Sequence, residues 1–82
     1  MIRGRVQGVF FRDTLRGIAE GHGVAGWARN TPEGTVEAVL EGAEPDVDAV
    51  IGFAHRGPEG ASVTGVDVED GEPEGLRGFE IR

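Results

Sequence analysis

The residues best suited to chemistry lie near the start of the chain, where residues 4–12 read GRVQGVFFR. A strand that ends in a glycine-containing turn and is followed at once by a helix leaves the first N–H groups of that helix without partners. The helix dipole makes this end positive, and Gly8 allows an anion to approach the backbone. Arg12 adds a planar cation that can contact two phosphate oxygens. The segment is therefore either a phosphate-binding loop or an ordinary strand-to-helix connection with a surface arginine.

Asn30 is the second residue of interest. Its carboxamide both donates and accepts hydrogen bonds, so it is suited to holding a water molecule. It also stands directly before residues 31–34, TPEG, a turn sequence in whose neighbourhood asparagine is common for conformational reasons. From its position alone, Asn30 is either a turn residue or a water-binding residue.

The hydrophobic pattern predicts the elements that position these residues. Phe11, Leu15 and Ile18 repeat at the helical period directly after the first turn, whereas residues 24–30 and 36–41 alternate as strands do. The proline–glycine turn joins those two strands into a hairpin. The other predicted elements are a strand over 1–6, a helix over 45–56, a strand over 63–68 with a bulge at Gly65, and a short strand over 79–81.

This order, β-α-β-β-α-β with a short extra strand, is typical of a ferredoxin-like α+β fold. Two helices are expected on one face of a mainly antiparallel sheet. A chain of 82 residues cannot bury a second core, so residues 1–82 are expected to form a single domain.

The composition limits the partners of the protein. Fifteen acidic residues against eight arginines give a formal charge of −7, and both lysine and cysteine are absent. We expect no nucleic acid and no membrane partner, because binding to either needs clustered cations or a long apolar run. No signal-peptide pattern opens the chain, so a cytoplasmic protein is expected, and we expect it to be a monomer. On so acidic a molecule, an anionic substrate needs a small, concentrated cationic site.

Other motifs are weaker. Residues 21–26, GHGVAG, match the dinucleotide pattern G-x-G-x-x-G, but a helix precedes them and a strand follows, which is the reverse of the required context. His22 and His55 have no second ligand at metal spacing, so cap or surface positions are favoured. Ser62 has no histidine and aspartate arranged to activate it.

The motifs together resemble those of the acylphosphatase family. Residues 4–12 match its signature, G-x-V-Q-G-V-x-F-R, at every fixed position, and residues 26–30, GWARN, are similar to its second motif, G-x-V-x-N, with Ala28 in place of the usual valine. Residues 34–37, GTVE, and 79–81, FEI, resemble the family's G-x-V-E and F-x-I. Family members usually have several strand residues before the first glycine, whereas three residues precede Gly4 here.

The resemblance implies a hydrolase that cleaves the carboxyl–phosphate bond of small acyl phosphates (EC 3.6.1.7) without a metal or another cofactor. It implies that Arg12 and Asn30 are catalytic, with Asn30 orienting the attacking water. The implied substrate-binding residues, which would hold the phosphate through their backbone N–H groups and the Arg12 guanidinium, are Gly8, Val9, Phe10, Phe11 and Arg12.

Two further classes share this topology. A binding or regulatory module would keep the sheet and lose the anion site, and the presence of Arg12 and Asn30 argues against it. A module of this type also opens the hydrogenase-maturation carbamoyltransferases, where cysteine motifs follow; this chain has no cysteine and reaches only Arg82, so a free-standing enzyme is expected. An RNA-binding sheet would need exposed aromatic residues and positive charge, which five aromatics and a charge of −7 do not supply.

Overall fold

The helical and alternating apolar patterns fold into two helices that pack together on a five-stranded sheet. The computed structural model describes all 82 residues. The elements in chain order are β1 (Ile2–Arg5), α1 (Phe11–Gly21), β2 (Ala25–Asn30), β3 (Val36–Glu41), α2 (Glu44–Arg56), β4 (Ser62–Val66) and β5 (Phe79–Ile81). The predicted ferredoxin-like α+β fold is confirmed. Neither helix is long and apolar enough to cross a membrane.

The sheet order, β4-β1-β3-β2-β5, brings the end of β1 close to the end of β2. All neighbouring strands are antiparallel except β2 and β5, which are parallel. In one row across the sheet, Ile2 pairs with Val36 and Val36 pairs with Asn30. From that row β1 runs towards the turn between β2 and β3. The segment that follows β1 therefore lies beside Asn30.

The predicted bulge is present, but one residue away from its predicted position. The register between β1 and β4 skips Thr64, not Gly65. Gly4 lies opposite this bulge with φ of 125°, and a Cβ atom there would be 2.1 Å from the Ser62 carbonyl oxygen. The close approach of the two backbones thus requires glycine at position 4.

β4 is shorter than predicted. It ends at Val66, which pairs with Ile2 at the start of β1. Val68 lies beyond the last residue pair with β1 and is 57% exposed, so it does not belong to the strand. The alternation of valines identified the strand correctly, but it could not show where the neighbouring strand begins.

One hydrophobic core lies between the helices and the sheet. Phe11, Leu15 and Ala19 form the buried stripe of α1, at the predicted helical spacing. Burial of Phe11 fixes the first turn of α1 and hence the position of Arg12. The core consists of Ile2, Val6, Phe11, Leu15, Ala19, Val24, Ala28, Val36, Val50, Ala54 and Phe79.

Candidate active site

The connection between β1 and α1 is a tight loop with two left-handed residues. Gly8 has φ of 75°, and Phe10, which directly precedes α1, has φ of 57° and ψ of 31°. Gly8 takes this conformation without strain, whereas a non-glycine residue such as Phe10 pays about 1–2 kcal/mol for it. Alternation of left-handed and ordinary residues turns successive N–H groups towards the same side of the chain, which makes an anion-binding concavity.

The N–H groups of this loop are free to bind a ligand. None of the N–H groups of residues 8–13 donates a hydrogen bond within the protein. The first helical N–H with a partner is that of Thr14, which donates to the Phe10 carbonyl oxygen at 3.0 Å. No side chain caps the start of α1. Because the helix dipole adds positive potential at this end, the loop favours an anion.

Arg12 lies in the first turn of α1 with its guanidinium held at one point. Its Nη1 donates to the main-chain oxygen of Arg82 at 3.1 Å. Arg82 is itself fixed, because its N–H donates to the Ala28 carbonyl oxygen at 2.8 Å and its guanidinium lies 4.7 Å from the centre of the Trp27 ring. A guanidinium has five N–H donors, so this bond orients Arg12 and leaves other donors for a ligand.

Asn30 faces the same loop from the last position of β2. Its side chain makes no hydrogen bond within the protein. A cavity of about 270 Å³ is lined by Asn30 together with Gly8, Phe10, Phe11, Arg12 and Asp13. The free carboxamide thus shares one cavity with the loop and with Arg12.

Gln7 joins the two halves of this cavity. Its Nε2 donates to the carbonyl oxygens of Thr31 and Thr35, both at 2.9 Å. Those two residues begin and end the turn after Asn30, and their hydroxyl oxygens lie 2.6 Å apart. Thr31 is buried, so the turn has little freedom to move. The Gln7 amide therefore sets the position of Asn30 relative to the loop.

The predicted site residues differ in how they contribute to the cavity. The Phe11 side chain is only 2% exposed and belongs to the core, so this residue can offer the cavity little more than its backbone. Val9 does not line the cavity; it is half-buried and packs against the core. Phe10 is 78% exposed at the rim.

Two residues at or near the cavity, Gln7 and Asp13, were not predicted to belong to the site. Gln7 was visible in the motif, but its two partners become apparent only when the hairpin is placed beside β1. Asp13 also lines the cavity, and its carboxylate lies 3.5 Å from Arg16 one turn along α1. An acidic residue in the first turn of a helix is a common stabilising feature, so Asp13 could not be distinguished by sequence from an ordinary residue of that turn.

The weaker motifs take the structural positions expected for them. His22 follows the end of α1 and lies 3.3 Å from Asp46, with both side chains partly exposed, and His55 is exposed in the last turn of α2. Residues 21–26 connect a helix to a strand, which confirms that they are not a dinucleotide-binding turn. Ser62 is exposed at the start of β4.

The fold and the cavity define a small α+β protein with a backbone anion site at a helix N-terminus. The family model for acylphosphatase matches residues 1–81. An acylphosphatase from Haloarcula marismortui is 53% identical over 81 residues, which is 99% of this chain and 89% of that protein. The chain therefore belongs to the acylphosphatase family. Its function is acylphosphatase activity, EC 3.6.1.7.

Solved structures agree with this assignment. The crystal structure of acylphosphatase from Bacillus subtilis superposes with a TM-score of 0.93 at 33% identity, covering 99% of this chain and 91% of that chain. HypF from T. kodakarensis gives a TM-score of 0.87 at 30% identity, but the match covers only 11% of that chain. The same fold thus occurs both in chains of about this length and as part of a much longer protein.

Proposed function

We propose that the loop of residues 8–12 and the Arg12 guanidinium bind the phosphoryl group of an acyl phosphate, and that Asn30 orients the attacking water. The observation that carries this proposal is that Arg12, Asn30 and the unpaired loop N–H groups share one cavity. Substrate binding is assigned to Gly8, Val9, Phe10, Phe11 and Arg12, with Val9 acting through its N–H group alone. Gln7 is a positioning residue, because it acts through the turn that follows Asn30.

The reaction needs few protein groups. Water attacks phosphorus in line, the bond between phosphorus and the carboxyl oxygen breaks, and the carboxylate departs with the bonding electrons. The proton of the attacking water passes to a phosphoryl oxygen of the substrate. A carboxylate is a good leaving group and needs no general acid. Stabilisation of the charge on the phosphoryl oxygens is then the main task, and preorganised N–H donors perform it.

The distribution of charge fits a single anion site. The protein carries a formal charge of −7, and Asp13 lines the cavity itself. Arg12 must therefore supply most of the attraction, together with the start of α1. Because Asp13 repels phosphate, we place the phosphoryl group on the Arg12 side of the cavity. We propose that no metal or other cofactor takes part, since these groups cover binding, orientation and departure.

We propose that residues 1–82 act as a single domain, as a monomer in the cytoplasm, with no nucleic-acid or membrane partner. A small acyl phosphate is the substrate that the family implies. The preference for one acyl group over another is assigned to the exposed side chain of Phe10, which lies at the rim of the cavity.

Hydrolysis of benzoyl phosphate by the purified chain tests this proposal. We expect turnover that EDTA leaves unchanged, with inorganic phosphate as a competitive inhibitor because it fits the same N–H groups. Loss of turnover with EDTA and recovery with Mg²⁺ or Zn²⁺ would contradict the cofactor-free mechanism. Turnover without competition by phosphate would contradict the assignment of the loop as the phosphate site.

A further inference from the structure

Two of the six residues that line the active-site cavity, Phe10 and Asp13, have side chains that the proposed mechanism does not use. The other four are the two proposed catalytic residues, a glycine, and Phe11, whose ring is buried. The phosphoryl group and the attacking water occupy the catalytic side chains. The acyl group of a bound substrate can therefore meet only the side chains of Phe10 and Asp13.

Phe10 and Asp13 lie close together at the N-terminus of α1. Phe10 directly precedes the helix, and Asp13 belongs to its first turn. Helical side chains lean towards the N-terminus, which brings the Asp13 carboxylate towards the loop. The Phe10 residue is 78% exposed and the Asp13 side chain 56% exposed. Both side chains are thus accessible to a bound molecule.

Arg12 and Asp13 give the cavity two sides of opposite charge. Consecutive residues of an α-helix are turned by about 100° around its axis, so these two side chains point in different directions. Arg12 reaches the main-chain oxygen of Arg82. The Asp13 carboxylate lies 3.5 Å from Arg16, and Arg16 does not line the cavity. Arg12 is therefore the only cation in the lining, and Asp13 the only anion.

The direction of attack places the acyl group on the side of Asp13. In an in-line reaction the leaving group lies opposite the attacking water, which is held by Asn30. The phosphoryl group takes the side of Arg12, because Asp13 repels it. The acyl group then extends away from Asn30, past Phe10 and Asp13.

We propose that Asp13 is a specificity-determining residue, which disfavours acyl phosphates whose acyl group carries a negative charge. This proposal rests on the proposed function and adds the class of substrate: small acyl phosphates with an uncharged, apolar acyl group, which the Phe10 ring can cover. The Asp13 carboxylate repels a second carboxylate on the substrate. Arg16 weakens this repulsion without cancelling it, because its guanidinium lies outside the cavity.

Three substrates that differ in one para substituent test this proposal: benzoyl phosphate, 4-carboxybenzoyl phosphate and 4-(trimethylammonio)benzoyl phosphate. For each protein, kcat/KM of the two charged substrates is divided by that of benzoyl phosphate. Comparison of these ratios between a variant and the unsubstituted chain removes the intrinsic reactivity of each substrate. A partial loss of folded protein lowers all three values alike and cancels in the ratios.

Asp13→Asn should move the two ratios in opposite directions. We expect the ratio for the carboxylated substrate to rise about two- to fivefold, and the ratio for the cationic substrate to fall by a similar factor. Opposite changes identify charge as the cause, because a change in the shape of the cavity would act on both substrates in the same direction.

Two control variants separate Asp13 from other effects. Glu20→Gln removes the same charge from an exposed position later in α1 and should change either ratio less than about 1.5-fold. Phe10→Asn removes the ring at a left-handed position that asparagine tolerates. It should lower kcat/KM for all three substrates by a similar factor, so the ratios should stay as they are.

Ratios that do not change in Asp13→Asn, or that change in the same direction, would overturn the proposal. An equal effect of Glu20→Gln would also overturn it, because the charge of the whole protein would then be the cause. In each of these cases, hydrolysis of benzoyl phosphate under competition by inorganic phosphate would leave the proposed function intact. Absence of that hydrolysis from the unsubstituted chain would contradict both.

Discussion

The two helices begin in different ways, and the difference explains why one of them forms an anion site. Neither N-terminus has a side-chain cap, but the N–H groups of Asp46 and Val47 in α2 donate to the Ala43 carbonyl oxygen, whereas those of residues 11–13 in α1 donate to no group of the protein. α1 follows a loop with two left-handed residues and carries Arg12 in its first turn. α2 follows Ala43, which is extended, and carries Glu44, Pro45 and Asp46.

Two carboxylates in the first turn of α2 neutralise the positive potential at its N-terminus. The carboxylates of Glu44 and Asp46 lie at the positive end of the helix dipole, where an external anion would otherwise bind. Pro45 has no N–H group to offer. At α1 the loop geometry collects free N–H groups and Arg12 adds charge. A helix N-terminus therefore becomes a phosphate site only when the preceding loop and a nearby cation cooperate.

Removal of the Asn30 amide should have the largest effect on catalysis. If the amide only orients water, Asn30→Ala should lower kcat about 10²–10³-fold, the size of a lost transition-state donor. The inhibition constant of inorganic phosphate should change little. Steady-state kinetics with phosphate inhibition measures both. A parallel weakening of phosphate binding would make Asn30 a binding residue instead.

Arg12→Lys tests whether the geometry of the cation matters as well as its charge. Lysine keeps the charge but loses the planar pair of donors and the bond to Arg82. We expect activity to fall at least about 10²-fold, with a change in the free energy of unfolding below about 0.5 kcal/mol. Arg77→Lys, at an exposed position away from the cavity, is the matched control. A stable variant with near-normal activity would reduce the role of Arg12 to unspecific attraction.

Gln7→Leu tests the contact that joins the loop to the hairpin. Without the amide, the carbonyl oxygens of Thr31 and Thr35 lose their shared donor, and the free energy of unfolding should fall by about 1–3 kcal/mol. Displacement of Asn30 should lower kcat by about 10–10²-fold while phosphate inhibition is largely kept. Urea denaturation and kinetics measure the two effects. A loss of stability with unchanged kcat would show that Gln7 does not position Asn30.

The smallest effect is expected at the start of α2. Glu44→Gln removes one carboxylate from its first turn and should lower the free energy of unfolding by about 0.3–1 kcal/mol at low ionic strength. The kcat of the enzyme and its inhibition by phosphate should stay unchanged. A gain in phosphate affinity equal to that of the active site would mean that the two helix N-termini differ in charge alone.

The sequence predicted the elements of this fold better than their connections. The stripe of Phe11, Leu15 and Ala19 and the alternation in β2 and β3 are local patterns, so they identify helix and strands directly. The end of β4 and the place of the bulge depend on where β1 lies beside that strand, which no local pattern contains. They were therefore predicted wrongly by one or two residues.

In the candidate site, too, the residues were predicted from local motifs, whereas their long-range contacts were not. Arg12 and Asn30 stand in motifs that can be found along the chain, and they do line one cavity. The double contact of Gln7 and the bond from Arg12 to Arg82 join segments that lie 24 to 70 residues apart. Such contacts become apparent only after the sheet order is known.

Titration of the 15N-labelled chain with inorganic phosphate, followed by NMR, tests the central claim most directly. We expect a common shift, with saturation at the inhibition constant measured in the hydrolysis assay, of the N–H resonances of Gly8, Val9, Phe10, Phe11 and Arg12. The N–H resonances of Glu44, which has no partner within the protein, and of Asp46 and Val47, which donate to Ala43, should not move. Shifts at the start of α2 of equal size, or inhibition by phosphate without shifts in residues 8–12, would contradict the assignment of the loop after β1 as the phosphate site.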